Sequence, residues 1–142
     1  MSTLLGNELG GILLARLSGQ DRPPGDVAVP VCTVDEQGFA HPALLSYGEI
    51  SAPSPRRLRV TVHAGSRTAA NLHRDGRLTL FFVDESVTEY VKARAIGLGT
   101  AVPSSQAAFA FELEVAAVYR DAADTAREPG AAITSGIRFR TS

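Results

Sequence analysis

The sequence predicts a mostly β fold, a small antiparallel barrel of six strands with one or two helices. Two observations predict it. Six stretches of alternating or continuous apolar character recur between residues 27 and 121, most of them joined by short polar turns. Only two stretches have helical spacing, one at the N-terminus and one between the third and fourth strands. No internal repeat or low-complexity tract breaks the pattern, so residues 1–142 read as one domain.

Leu5, Leu9, Ile12, Leu13 and Leu17 fall on one helical face. An N-terminal helix is therefore expected within residues 1–20, spanning 3–18, with Ser2 or Thr3 as its cap and Gly19 as its stop. Gly6, Gly10 and Gly11 weaken it, so it must lean on the barrel or on a partner chain. DRPPGD, residues 21–26, is a linker. VAVPVCTVDEQGFAHPALLSYGEI then reads as two strands about a turn at Asp35, Glu36, Gln37 and Gly38. Pro30 inside the first run points to an edge position or an irregular start. SAPSPRR, residues 51–57, is a loop. In the third strand, LRVTVHA, Leu58, Val60 and Val62 alternate with Arg59, Thr61 and His63. The fourth, LTLFFVD, is apolar on both faces and so is central. TEYVKARAIGLGTAV is the fifth and AFAFELEVAAVYRD the sixth. PSSQA is a turn, DTAREPGAA a loop, and TSGIRFRTS a final short strand.

Composition narrows the function. Hydrophobic residues make up 44% of the chain and charged residues 20%, enough apolar content for a core. A net charge of -1 argues against nucleic acid or an anionic membrane as partner. No apolar run has transmembrane length, and the first residues, with Glu8 and no basic start, make a poor signal peptide. A soluble, cytoplasmic protein is the expectation. The single cysteine, Cys32, rules out an intrachain disulfide and a multi-cysteine zinc site, and it reads as a small core residue. His41, His63 and His73 are scattered without metal-ligand spacing, so no metal site is expected. Glu112 and Glu114 alternate with apolar residues as an outer face does.

The stretch VHAGSRTAANLHRDG, residues 62–76, is too long for a simple hairpin. Ser66 is a good helix cap, two turns follow, and Asp75-Gly76 ends them. A strand feeding a capped helix leaves backbone N–H groups free at its entrance. With the hydroxyls of Ser66 and Thr68 and the Arg67 guanidinium they form a candidate phosphate site, which Gly65 lets a ligand approach. An ordinary helix start with a solvated arginine is the competing reading. Lys92 and Arg94 share one strand face, either a solvated exterior or a wall of the same pocket. The P-loop, dinucleotide and nucleophile-elbow motifs are absent, as is any catalytic dyad or triad.

TVDEQGFAHPALLS, RLRVTVHAGSRTAANLHRDGRLTLFF and EYVKARAIG, in this order, resemble the pyridoxamine-phosphate-oxidase-like family of flavin-binding split barrels. The resemblance spans about residues 27–99. It implies a six-stranded split barrel of Greek-key type and a homodimer with FMN in a groove at the interface. It places His41, Pro42, Ala43 and Leu44 along the flavin and its phosphate. Thr61 and Val62 would meet the ring edge through their backbone, and His63 would lie nearby. Ser66, Arg67 and Thr68 match the phosphate clamp, Tyr90 stands where the oxidases have a glutamine, and Lys92, Arg94 or a partner-chain residue would compensate for missing cations. His41, Ser46 and Thr68 replace an arginine and two lysines of the family pattern, so Arg67 is the one cation kept from it. The chain end SGIRFRTS lacks the oxidases' arginine–histidine substrate motif, which argues against vitamin B6 oxidation. The resemblance thus implies an FMN-dependent oxidoreductase of unknown substrate. The alternative is a non-catalytic binding or sensing dimer that holds haem, a deazaflavin or no cofactor.

Overall fold

Strands dominate the computed structural model, which describes residues 1–103 and 107–140. The chain begins with strand β1 (Thr3–Gly6) and helix α1 (Gly11–Leu17). β2 (Ala28–Val34) and β3 (Ala40–Ser46) follow, then a 3-10 turn at Tyr47–Glu49, β4 (Ile50–Ser54) and β5 (Arg57–His63). Helix α2 (Arg67–Arg74) leads into β6 (Arg77–Val83), β7 (Thr88–Ala95), the short β8 (Thr100–Ala101) and the long β9 (Ala108–Arg120). Neighbours pair antiparallel in the order β3-β2-β6-β7-β9-β5-β4, with β1 and β8 also paired to β9. The sheet curls into a half-barrel. Its two end strands, β3 and β4, are not neighbours in that order.

Alternation builds the core. In β5, Leu58, Val60 and Val62 are buried while Arg57, Arg59 and His63 face water. β6 lies between β2 and β7, as expected of a central strand, and buries Leu78, Leu80 and Phe82. Phe111, Leu113, Val115 and Val118 of β9 complete the inner face. α2 packs against β2, β3 and β5, and α1 packs against β4. Cys32 is half-buried rather than in the core, because Val31 and Thr33 take the inward positions on either side of it.

The expected N-terminal helix over 3–18 is shorter, and its first residues are a strand. β5 pairs with β9 only between Ala108 and Glu114, so the edge of β9 at residues 118–120 is free, and β1 takes it. Gly6, at φ +127°, ends β1. Leu9, Leu13 and Leu17 are buried as the helical face required, but Leu5 and Ile12 are exposed. Residues 21–26 carry no helix or strand. The expected loop at 51–57 contains most of β4, whose Ile50 and Ala52 alternate into the core. The fifth strand stops at Ala95, since Gly97 at φ +75° turns the chain before β8. The final strand is reduced to a bridge between Val27 and Arg138, flanked by bonds from the Ala28 N–H to the Ile137 carbonyl and the Phe139 N–H to the Asp26 carbonyl. Of the expected turn PSSQA, residues 104–106 lie outside the described residues, as do residues 141–142.

Candidate functional site

α2 starts where the sequence requires. The Ser66 hydroxyl accepts the Ala69 N–H at 3.1 Å and donates to the His63 carbonyl at 2.7 Å, so this cap is engaged within the protein. The His63 Nδ1 accepts the Gly65 N–H at 3.2 Å, which ties the exposed histidine into the same turn. Gly76, at φ +84°, closes the far end.

Arg67 is the first residue of α2, exposed, and without an ion pair among the described residues. It opens into a cavity of about 320 Å³ whose wall includes His41 of β3, Ala70 and Asn71 of α2, and Asp35, Glu36 and Gln37 of the β2–β3 turn. The structure therefore brings Arg67 and His41 together, although 26 positions separate them. The anionic side of this cavity is partly spent. The Asp35 Oδ1 accepts the N–H groups of Gln37 at 2.9 Å and Phe39 at 2.8 Å, and Glu36 is the carboxylate without a side-chain bond among the described residues. Thr68 is buried and is not part of the cavity wall.

Asn71, which the sequence reading passed over, fixes α2 in place. Its Nδ2 donates to the Thr33 hydroxyl at 2.9 Å, and its Oδ1 accepts from Arg74 at 3.1 Å. Arg74 also donates to the Val34 carbonyl. Arg67, Ala70 and Asn71 lie at helical spacing on one face, and that periodicity was the available signal for it.

The other expected residues fall elsewhere. Along β3, His41 and Ala43 are half-buried, whereas Pro42 and Leu44 are exposed on the opposite face. Val62 points into the core, so only its backbone is open to a ligand, and Thr61 is half-buried. β5 pairs with β9 as far as His63 but with β4 only as far as Val60, so its edge at 61–63 is not paired with β4. Tyr90 and Lys92 do not line the Arg67 cavity. Tyr90 borders an apolar groove of about 370 Å³ with Ala28, Pro30, Phe81, Val83 and Ile137. Its hydroxyl donates to the Asp121 Oδ2 at 2.6 Å. That bond raises the Tyr90 phenol and, with the Ala122 N–H and the chain's amino terminus, holds the Asp121 carboxyl at about 2. The Lys92 ammonium lies 5.0 Å from the centre of the Tyr119 ring.

The registers reveal an apolar row across the outer face. Leu44 pairs with Pro30, Phe81 with Tyr90, Tyr90 with Tyr119 and Tyr119 with Leu4, and Pro30 and Phe81 meet in the groove. At about 4.8 Å per strand, this row spans about 24 Å. Leu44 is 50% exposed and Leu4 59%. On the inner face of β7, next to Tyr90, Glu89 is buried beside Gly10. Its Oε2 accepts from Arg120 at 3.1 Å, and its Oε1 is without a partner among the described residues.

No protein-family model matches the chain. A curated relative, the uncharacterized protein YclD of Bacillus subtilis (strain 168), is 29% identical over 108 residues, which is 76% of this chain and 67% of that one. Among solved structures, the styrene monooxygenase flavin reductase of Pseudomonas putida S12 aligns with a TM-score of 0.57 and 14% identity, over 70% of this chain and 81% of its own. An FMN-binding protein of Syntrophomonas wolfei aligns with a TM-score of 0.56 and 11% identity, over 75% and 87% of the two chains. A Lactobacillus delbrueckii protein ascribed to the pyridoxamine 5'-phosphate oxidases reaches 0.60 at 19% identity, over 83% and 98%. The chain has the split-barrel fold that these proteins share.

Proposed function

We propose that this chain binds FMN and acts as an oxidoreductase on a small molecule. The observation that carries the reading is the cavity at the start of α2, which Arg67 and His41 both line within a split barrel. A dianionic phosphate there would take charge-assisted hydrogen bonds from the guanidinium and a favourable field from the helix N-terminus. The exposed, unpaired Arg67 fits that group. The backbone of residues 61–63 and the His41-to-Leu44 segment would hold the rest of the cofactor. FMN supplies reversible hydride chemistry when bound, and the chain's own residues bind, orient and shield. That division of labour needs no acid–base dyad, in keeping with a sequence that has none.

The apolar row supports a homodimer. A second copy laid on it would remove Phe81, Tyr90 and Tyr119 from water, and an apolar face of this extent is an interaction surface in a soluble protein. A specific observation favours a second reading as well. Glu36 lines the anion cavity and Thr68 is buried, so the cations and hydroxyls around a phosphate are few. On that reading the dimer binds haem, a deazaflavin or nothing, without catalysis.

FMN titration separates the two. The flavin reading expects quenching of FMN fluorescence by the purified protein, and at least a tenfold loss of affinity in Arg67→Ala, the cost of one charge-assisted contact. No quenching by the wild-type protein would leave the non-flavin reading. Equal affinity in the variant would put the phosphate away from α2.

A further inference from the structure

We propose that His73 is an acid-released latch on the segment between β7 and β8. This inference is independent of the flavin reading. The Gly99 N–H donates to the His73 Nε2 at 3.1 Å. His73 sits on the last turn of α2, edge-on to Phe109 with ring centres 5.1 Å apart and 4.8 Å from the centre of Phe111. A Cβ on Gly99 would come within 2.7 Å of the Phe111 ring and 3.0 Å of the His73 Nε2, so glycine is what permits the approach. Ile96 and Leu98, which precede Gly99, are exposed, and among the described residues the segment's other attachments lie at its ends. There the Ile96 N–H donates to the Glu112 carbonyl, and β8 pairs with Phe109 and Ala110. The histidine holds the middle.

The bond needs a lone pair on Nε2, hence a neutral ring protonated at Nδ1. A proton on Nε2 fills that lone pair and sets two N–H donors against each other. The last turn of α2 and the two phenylalanine rings accommodate the charged ring, and among the described residues no carboxylate on the neighbouring elements is bonded to it. On α2 and its C-terminal end, Arg74 is bonded to Asn71 and Val34, and Asp75 is bonded to Arg77. On β9 the contacts are Phe109 and Phe111, and the Glu112 carboxylate pairs with Arg59. On β5, His63 already accepts from Gly65. Residues 96–101 contain no ionisable side chain. Acid therefore releases the 97–99 segment, while its ends stay paired. Histidine is the side chain that changes charge in the mildly acidic range.

The test is amide hydrogen exchange at Gly99, with Ile96 and Ala101 as the paired controls, at pH 8 and pH 5, corrected for intrinsic rates. In the wild-type protein, protection at Gly99 should fall at least tenfold at pH 5. In His73→Gln, whose side-chain carbonyl can still accept the Gly99 N–H but does not titrate, protection should change by less than about twofold. A second readout needs no variant: the Gly99 amide resonance should titrate with the same midpoint as the His73 ring. Unchanged protection in the wild type, an equal fall in His73→Gln, or a Gly99 resonance that ignores the His73 midpoint would each overturn the latch.

Discussion

Asn71→Ala tests how α2, and with it Arg67, is held against the barrel. The substitution deletes two hydrogen bonds with different weights. The Arg74 bond is at a solvent-exposed guanidinium that regains water, so its loss costs a few tenths of a kcal/mol at most. The Thr33 bond is the larger one. Thr33 is 1% exposed and Asn71 is 4% exposed, so truncation leaves a buried hydroxyl without its partner. Such a group costs about 1–3 kcal/mol, and we expect a total near 2 kcal/mol. At about 3 °C per kcal/mol for a chain of this length, Tm should drop by about 6 °C. Urea unfolding with an unchanged slope is the assay. Adding Thr33→Val removes the stranded hydroxyl, so the double variant should recover about 1 kcal/mol over Asn71→Ala. A single variant within 0.5 kcal/mol of wild type, or a second substitution that costs a further kcal/mol, would refute this account.

Two further outcomes follow from the same geometry. Arg16 donates to Asp84 at 2.7 Å and to the Tyr47 hydroxyl at 3.0 Å, joining α1 to the β6–β7 turn. Burial alone would raise the Asp84 carboxyl, but Arg16 and the N–H groups of Ser86 and Val87 outweigh it and hold the group below its ordinary value of 3.8. A carboxyl depressed on folding stabilises above 3.8 and loses that stabilisation as pH falls through the folded value. Asp84→Asn should therefore lose less stability than wild type between pH 5 and pH 3 in urea melts, and equal losses would count against the pair. Phe81→Arg, at the middle of the apolar row, should turn a dimer into a monomer of 15.0 kDa by sedimentation, with little effect on the fold. A monomeric wild type at micromolar concentration rules the dimer out.

How much of this was legible in the sequence depended on how locally it was encoded. Apolar runs, alternating or continuous, located β2, β3, β5, β6, β7 and β9, because each strand buries at least one face. The start of α2 was legible for the same reason, since Ser66 and Gly76 act on their own neighbours. β1 was not, because TLLG has no strand signature of its own. It pairs only because β5 leaves part of β9 uncovered, a fact set by strands more than fifty residues away. Ala52 of β4 was masked by Pro53 and Pro55, which read as loop, and Ile50 was read into the strand run before it. The Arg67–His41 encounter depends on the β2–β3 turn folding toward α2, a tertiary event that no spacing announces.

Strand parity constrains the site more tightly than the sequence resemblance did. Consecutive residues of β3 cannot all face one ligand on one side of the sheet, since His41 and Ala43 point one way and Pro42 and Leu44 the other. A ligand that meets all four must wrap the outer edge of β3, which is the end of the strand order and is free to be wrapped. Tyr90 and Lys92 stand on β7, three strands from β3 or about 14 Å across the sheet. Arg67 and Tyr90 of one chain therefore border different places. If Tyr90 and Lys92 contact the same cofactor that Arg67 anchors, they do so across a dimer, from the neighbouring copy. The two hypotheses, FMN at Arg67 and dimerisation through the apolar row, are thus linked. Phe81→Arg should weaken FMN binding as well as dissociate the dimer, and full FMN affinity in a monomeric variant would show that residues 41–44 and 61–68 of one chain suffice.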